Sequence, residues 1–533
     1  MRVTSLSLAN FKAIGSATQV IEFKPITLLF GPNSAGKSSL IQALHYLYEI
    51  FERDNCDPGH TQIGGDLDLG GFRNLVHGHD LDATIRLGIG IELGNSLLPT
   101  YGSTEYIAEE EEHTALGESL STDQVFDLAG VKSADVTIDI KWSELEKKAF
   151  VSHYSVQIDD EPFAFLHCYD DSRQASLKAL NSEHTMFDVP AEEGESDDTV
   201  GARLLDHFNE LSKRLPLQID SGRGAMPRFG ELLGLMPAGA FEPENAESFS
   251  RFVHYISRVM VGTGELVLKC LRQFLYLGPL REIPGRHFMP ERSPGLDRWS
   301  SGLGAWDQLY NEGEDLADKV NDWLANDERL DAGYAVNYTE YKPLALDSPL
   351  MVALQGGSEL LESPDWIKEQ LGSVDTRRQV TLHDLRSDID LYPEDLGTGI
   401  SQVLPVLVAA LGHNKNIVAV EQPELHVHPK FQVALGELFL HAIKGDGREA
   451  ETVFILETHS EYMMLRFLRR LYETANDELD PDAHALTPDE LAVYYVNPIE
   501  DKTEITHLRL TEEGEFLDRW PNGFFPERKK ELF

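Results

Sequence analysis

The stretch PITLLFGPNSAGKSSLIQALHYLYEI, residues 25–50, limits the fold more than any other. ITLLF is an apolar strand. A helix follows, with Leu40, Ile41, Leu44 and Leu47 at helical spacing. Between them, Gly31 to Ser38 match G-x-x-x-x-G-K-[ST]. Strand, loop and helix in this order make a phosphate-binding loop. Glycines let the backbone bend until several N–H groups face an anion, and the helix N-terminus adds its positive end. Gly31, Pro32, Asn33, Ser34, Ala35, Gly36, Lys37, Ser38 and Ser39 are the candidate ATP-binding residues. Lys37 is expected to reach the β- and γ-phosphates and the Ser38 hydroxyl to hold Mg2+. Upstream, RVTSLSLANFKAI alternates like an edge strand. Phe11 reads first as core; a place beside the adenine or phosphates is the alternative for Phe11 and for Lys12.

Further elements lie far along the chain. In EDLGTGISQVLPVLVAAL (394–411), small residues precede Ser401 and Gln402 and open an apolar helix, so backbone N–H groups at its start suit phosphate; Gly399 and Ser401 are the candidates there. NIVAVE is a buried strand ending in Glu421. ETVFILETHSEYMMLRFLRRL (451–471) is a strand reaching Thr458, His459 and Ser460, then a helix. ELAVYYVN (490–497) adds one more strand. Strands alternating with helices imply a largely parallel sheet with ligand at the strands' C-terminal ends.

Together, Gly31–Ser38, GTGISQ, VAVEQPELHVHP and LETHSE resemble the P-loop, signature, Walker B/D-loop and switch histidine of ABC-type ATPases. The likeness is nearest to the soluble RecF, SMC and OLD-type heads of prokaryotic genome maintenance and anti-phage defence. YLGPLREIPGRHF (276–288) and FLDRWPNGFFPERKKELF resemble sequences of the same group. The resemblance covers about half the chain, at both ends. It implies an α/β fold: an ABC-type P-loop ATPase head with a mixed, largely parallel sheet, split by a globular α+β insert. It also implies ATP and Mg2+ as cofactors and a homodimer that sandwiches two ATPs between signature and P-loop. The signature departs from LSGGQ, and Gln62 and GGFRNLVH (70–77) are only candidates for the Q-loop.

Walker B carries the main departure. Glu421 is placed to hold Mg2+ with Ser38, but the next position, where a transporter ATPase has its catalytic acid, is Gln422. An amide is no useful base near neutral pH, though it can orient water. Glu424, beyond Pro423, is the nearby carboxylate. The candidate catalytic residues are therefore Glu424, Gln422 and His459, the last sensing the γ-phosphate, in a slow ATPase. Glu424 has an alternative as a dimer-contact or helix-start acid. His426 and His428 read as D-loop residues rather than metal ligands.

Acids outnumber bases 90 to 46, a net charge of −44. That argues against a nucleic-acid footprint over the whole surface and leaves room for a local basic groove of a few arginines. A halophile's acidic surface and an unusually acidic insert are both open as its origin. AEEEEH (108–113) and AEEGESDD (191–198) read as solvated loops. The three cysteines are widely spaced, without a pairing or zinc pattern, which fits a reducing cytoplasm. The first residues do not read as a secretory signal, and the longest apolar run, VLPVLVAALG, is about half a membrane span.

The expected organisation is 1–100, the first part of the head; 101–270, the α+β insert; and 271–533, the rest of the head. Strands are expected at about 131–170 and helices at about 200–275, where LLDHFNELSKRL and RFVHYISRVM have helical spacing. No heptads mark an SMC-type arm. The residues after His459 leave no space for an OLD-type nuclease, so any cutting falls to a separate effector protein such as a nuclease; nucleic acid is a further candidate partner. A nucleotide-binding scaffold without turnover and a transporter's ATP subunit are the competing readings. The insert's size and the lack of membrane segments oppose the second.

Overall fold

The computed structural model describes residues 1–61, 65, 67–101, 130–169, 174–181, 183–185, 216–219, 224–235, 243–286, 288–357, 363–412, 415–445, 452–500 and 502–521. Gln62, both acidic runs, LLDHFNELSKRL and the last twelve residues lie outside the described residues.

The chain opens with β1 (Arg2–Ala9), β2 (Gln19–Glu22) and β3 (Ile26–Phe30), then α1 (Lys37–Arg53). Next come β4 (Ile85–Glu92), β5 (Ser133–Ser143), β6 (Lys148–Ile158), β7 (Glu161–Cys168), β8 (Ala175–Leu180) and β9 (Leu217–Ile219). The long α2 (Pro243–Leu271) leads to β10 (Phe274–Leu277), α3 (Leu303–Glu312) and α4 (Glu314–Ala325). Three strands follow, β11 (Tyr334–Tyr341), β12 (Arg377–Asp384) and β13 (Ile389–Leu391). The chain then runs through α5 (Thr398–Leu411), β14 (Ile417–Glu421), α6 (Pro429–Lys444), β15 (Val453–Glu457), α7 (Glu461–Ala475), β16 (Leu491–Ile499) and β17 (Lys502–His507).

The central sheet has the order β10-β14-β15-β3-β16-β17. All its pairings are parallel except β16 with β17. β3, β10, β14 and β15 read as nearly continuous apolar runs because both faces are covered. Alternate residues go to opposite sides. Leu29, Ile417 and Ala419 join one core with α1 and α2, while Leu28, Phe30, Val418 and Val420 join the other with α3 to α7. Parallel strands covered on both faces put loops, and hence ligands, at one edge of the sheet.

A second sheet is antiparallel, with the order β2-β1-β4-β5-β6-β7-β8-β9. The strands expected at 131–170 are β5, β6 and β7. They continue, edge to edge, the sheet begun by β1 and β4: Ile89 pairs with Val136 across β4 and β5. Strands on both sides of residue 100 thus share one sheet and one core, and the three-part division at residues 100 and 270 stands as our proposal. RFVHYISRVM lies in α2. A third sheet, β11-β12-β13, packs against α3 and α4 through Val336 and Leu382.

Candidate functional site

The loop after β3 is shaped by three residues with positive φ: Gly31 at 151°, Ser34 at 60° and Gly36 at 98°. At Gly31 a Cβ would come within 2.3 Å of the Val496 carbonyl oxygen of β16, so only glycine fits between these strands. Thr503 of β17 braces the loop, its hydroxyl donating to Ala35 O at 2.7 Å. Pro32, Asn33 and Ser34 are exposed, while Ala35, Lys37 and Ser39 are buried. Lys37 is 3% exposed, and its ammonium donates to Gly31 O at 3.1 Å and Pro32 O at 3.0 Å. Burial pushes its pKa down, against the pull of Glu457, 3.7 Å away.

Sheet register gathers the acids. β14 and β15 end together, with Glu421 opposite Glu457. The Ser38 hydroxyl donates to Glu457 Oε2 at 2.8 Å, and the Tyr276 hydroxyl at the end of β10 donates to Glu421 Oε1 at 3.1 Å. Burial first, and the Glu457 charge second, push the Glu421 carboxyl up to about 7. A hydroxyl and two carboxylates beside a phosphate loop are hard oxygen donors, the set Mg2+ prefers. Ser38, Glu421 and Glu457 would hold it, supplying charge to offset the phosphates.

Glu424 reaches the switch stretch. Its Oε2 accepts from the Thr458 hydroxyl at 2.8 Å and its Oε1 from the His459 backbone N–H at 2.6 Å. Burial raises its pKa, while these donors pull the other way. His459 is exposed; desolvation, then the Lys37 charge, lowers its pKa and favours the neutral ring. Gln422 has a φ of 46°, and its N–H donates to Glu457 O at 2.7 Å. Its side-chain amide makes no hydrogen bond among the described residues.

Arg281, 4% exposed, binds this end of the sheet from behind. Its guanidinium donates to Glu421 O at 2.8 Å, Gln422 O at 3.3 Å and Gln402 O at 3.3 Å. The Gln402 side chain in turn accepts from Arg281 N at 3.2 Å and donates to Arg281 O at 2.7 Å. Burial lowers the Arg281 pKa only to about 10, so it stays charged at neutral pH.

P-loop, Glu421, Glu424 and His459 are therefore brought to one edge of the sheet. Gly399 and Ser401 make no hydrogen bond to the loop among the described residues. Ser401 is fully buried, its hydroxyl turned to Gly397 O at 3.4 Å, and a Cβ on Gly399 would sit 3.2 Å from His426 O. Gly397 and Thr398 at the start of α5 are exposed. Phe11 is a buried core residue stacked on Tyr46. The His428 ring caps α6, accepting from Lys430 N at 3.2 Å. No cluster of three potential metal ligands of the His, Cys, Asp and Glu type occurs among the described residues.

Glu457, Tyr276 and Arg281 are site residues that motif reading passes over. An acid closing a buried apolar strand, directly before Thr458 and His459, was the available signal for Glu457. For Tyr276 and Arg281 the only signal was the quoted YLGPLR stretch.

A P-loop strand lies inside a parallel sheet, with acids at the ends of its neighbours and a histidine loop beside them. Family models match three parts of the chain. Residues 297–464 match the family described as "AAA domain, putative AbiEii toxin, Type IV TA system", and residues 5–66 match an AAA domain. Residues 486–533 match a protein of unknown function family, DUF3696. No curated protein matches the chain. Similar solved structures include an SMC head bound to the C-terminal winged-helix domain of ScpA, at 10% identity and a TM-score of 0.36, covering 96% of this chain and 99% of that one. Another is the SMC head domain from Thermotoga maritima, at 10% identity and a TM-score of 0.35, covering 96% and 100%. A Pyrococcus furiosus Smc head with an extended coiled coil, bound to the C-terminal domain of ScpA, has 11% identity and a TM-score of 0.37, covering 95% and 96%. No described helix is long and apolar enough to cross a membrane.

Proposed function

We propose that the chain binds ATP with Mg2+ at the P-loop, hydrolyses it slowly, and works as a homodimeric switch with a separate effector or nucleic acid, in anti-phage defence or DNA maintenance. The observation that carries the ATPase reading is the convergence of Lys37, Ser38, Glu421, Glu457, Glu424 and His459 on one edge of the central sheet. In this reading Lys37 leaves the loop carbonyls for the phosphates. Ser38, Glu421 and Glu457 take Mg2+. Glu424 accepts the proton of the attacking water, with Gln422 aiming it.

The dimer is our proposal for the exposed start of α5, where Gly397 and Thr398 would meet the phosphates held by a second copy. The defence setting draws support from the toxin named in the matched family's description. Partner proteins are suggested by the ScpA complexes of the SMC heads. A second reading, a nucleotide-binding scaffold with little turnover, is favoured by Gln422 and by the engagement of both Glu424 oxygens. Steady-state ATP turnover separates the two.

Lys37→Ala tests the shared part. Nucleotide affinity and turnover should both fall steeply, since among the described residues no other cation hydrogen-bonds to the loop's carbonyls. Titration with a fluorescent ATP analogue and phosphate release measure this; unchanged values would refute the site.

A further inference from the structure

The segment following Arg281 forms one wall of a cavity that none of the ATP chemistry uses. Pro284–Arg286, Phe288–Pro290, Arg292, the start of β12 and the turn Tyr392–Pro393 line a cavity of about 430 Å³, within the roughly 300–1,000 Å³ of ligand sites. Its lining runs against the rest of the molecule. In a chain with 90 acids and 46 bases, four arginines line it and no acid does, among the described residues. Five aromatic rings share the walls.

The arginines differ in setting. Arg286 is tied from outside by Glu394 and Asp395, and its guanidinium lies 5.1 Å from the centre of the Tyr392 ring. Arg378 is held by Glu340 and lies over Tyr338. Arg292 and Arg377 are exposed and make no ion pair among the described residues. Tyr341 is 43% exposed, leaving ring surface to stack on. Trp306, 1% exposed, also lines the cavity, and its buried indole N–H has no acceptor among the described residues.

Unpaired guanidiniums beside an open tyrosine ring suit a ligand that offers phosphates and flat bases together. An acidic peptide would use the charge and leave the rings idle. We propose that this cavity binds a segment of single-stranded nucleic acid, with phosphates on Arg292 and Arg377 and a base on Tyr341. The net charge of −44 opposes a strand spread over the general surface. The cavity also adjoins both halves of the ATP machinery. Arg281, on one wall's segment, holds the carbonyls of Glu421 and Gln422, and Tyr392 lies five residues before Gly397. A strand bound here would bias the placement of α5. Only this coupling rests on the ATPase reading; binding does not.

The test uses the full chain without ATP and a fluorescein-labelled single strand of about 12 nucleotides, as DNA and as RNA, followed by anisotropy at low salt. The expected result is saturable binding of at least one strand, weakening steeply as salt rises. The double charge reversal Arg292→Glu, Arg377→Glu should weaken it at least roughly tenfold, and Tyr341→Ala at least about fivefold. Both variants should keep their thermal stability and basal ATP turnover. AMP and polyglutamate should displace the strand far less well than unlabelled strand. Absence of binding, equal binding by the variants, or equal displacement by AMP or polyglutamate would overturn the proposal. If binding behaves as expected but no ATP turnover is found, the ATPase reading fails and the strand site stands.

Discussion

Glu421 sits in a conflict that pH exposes. Its carboxyl is pushed up to about 7 by burial and by Glu457, so the folded protein favours its protonated form. Its contribution to stability is therefore greatest below the unfolded value of about 4.3 and is lost as pH rises through about 7. Glu421→Gln, neutral throughout, should unfold at higher temperature than the parent at pH 8, by about 1–3 kcal/mol, with the gain shrinking towards pH 4. Thermal unfolding without nucleotide or Mg2+ measures it; a gain independent of pH would contradict the assignment. The same variant should lose Mg2+-dependent ATP affinity, because the metal needs the charge. Glu424 asks for a different measurement. If it is the base, Glu424→Gln should leave ATP bound and slow turnover by about two orders of magnitude. Gln422→Glu should bring no gain, since Glu424 already supplies a carboxylate and a fourth acid would repel Glu421 and the phosphates. A faster Gln422→Glu enzyme with near-normal Glu424→Gln turnover would move the base to position 422.

Among the elements, the joint between β14 and α5 is the one most exposed to a single substitution. Arg281 is the pin, its guanidinium donating to three carbonyls that belong to both elements. Arg281→Met should keep the volume but leave those carbonyls without their donor, costing about 2–4 kcal/mol in denaturant unfolding. A cost within about 0.5 kcal/mol, the range of ordinary surface changes, would mean the joint is held otherwise. This joint also marks what was legible. Gly31–Ser38 and the apolar strand ending in Glu421 are contiguous, so local pattern was enough to find them. Glu457 earns its role only because β15 lies between β14 and β3, and strand order is not written in either segment. Likewise, alternation in 131–170 declared strands but not which edge they would join. Hence the stretch read as an insert extends a sheet begun by β1 and β4. Ser401 reads as a phosphate ligand from its place at a helix start, and its buried hydroxyl donates to Gly397 O in this structure, a contact no local pattern announces.

For the whole molecule, the exposure of Gly397 and Thr398 at the start of α5 is the feature the dimer proposal uses. An ATP-loaded P-loop presents charge that Gly397 and Thr398 of a second copy could cover. Light scattering with a slowly hydrolysed ATP analogue should show conversion to a dimer that Lys37→Ala does not undergo. Full turnover by a strict monomer would refute the sandwich.

The place of β3 carries a cost in time. Its two neighbours in the sheet, β15 (Val453–Glu457) and β16 (Leu491–Ile499), are made some 420 residues or more after it. At about 5–20 residues per second, a ribosome needs at least some 20 s to supply them. During that interval the buried apolar strand β3 has no partners on either edge and is a hazard for association with other chains. Nascent chains released early would hold the phosphate-loop sequence without a nucleotide site, so ATP could stabilise only chains whose synthesis has passed β16.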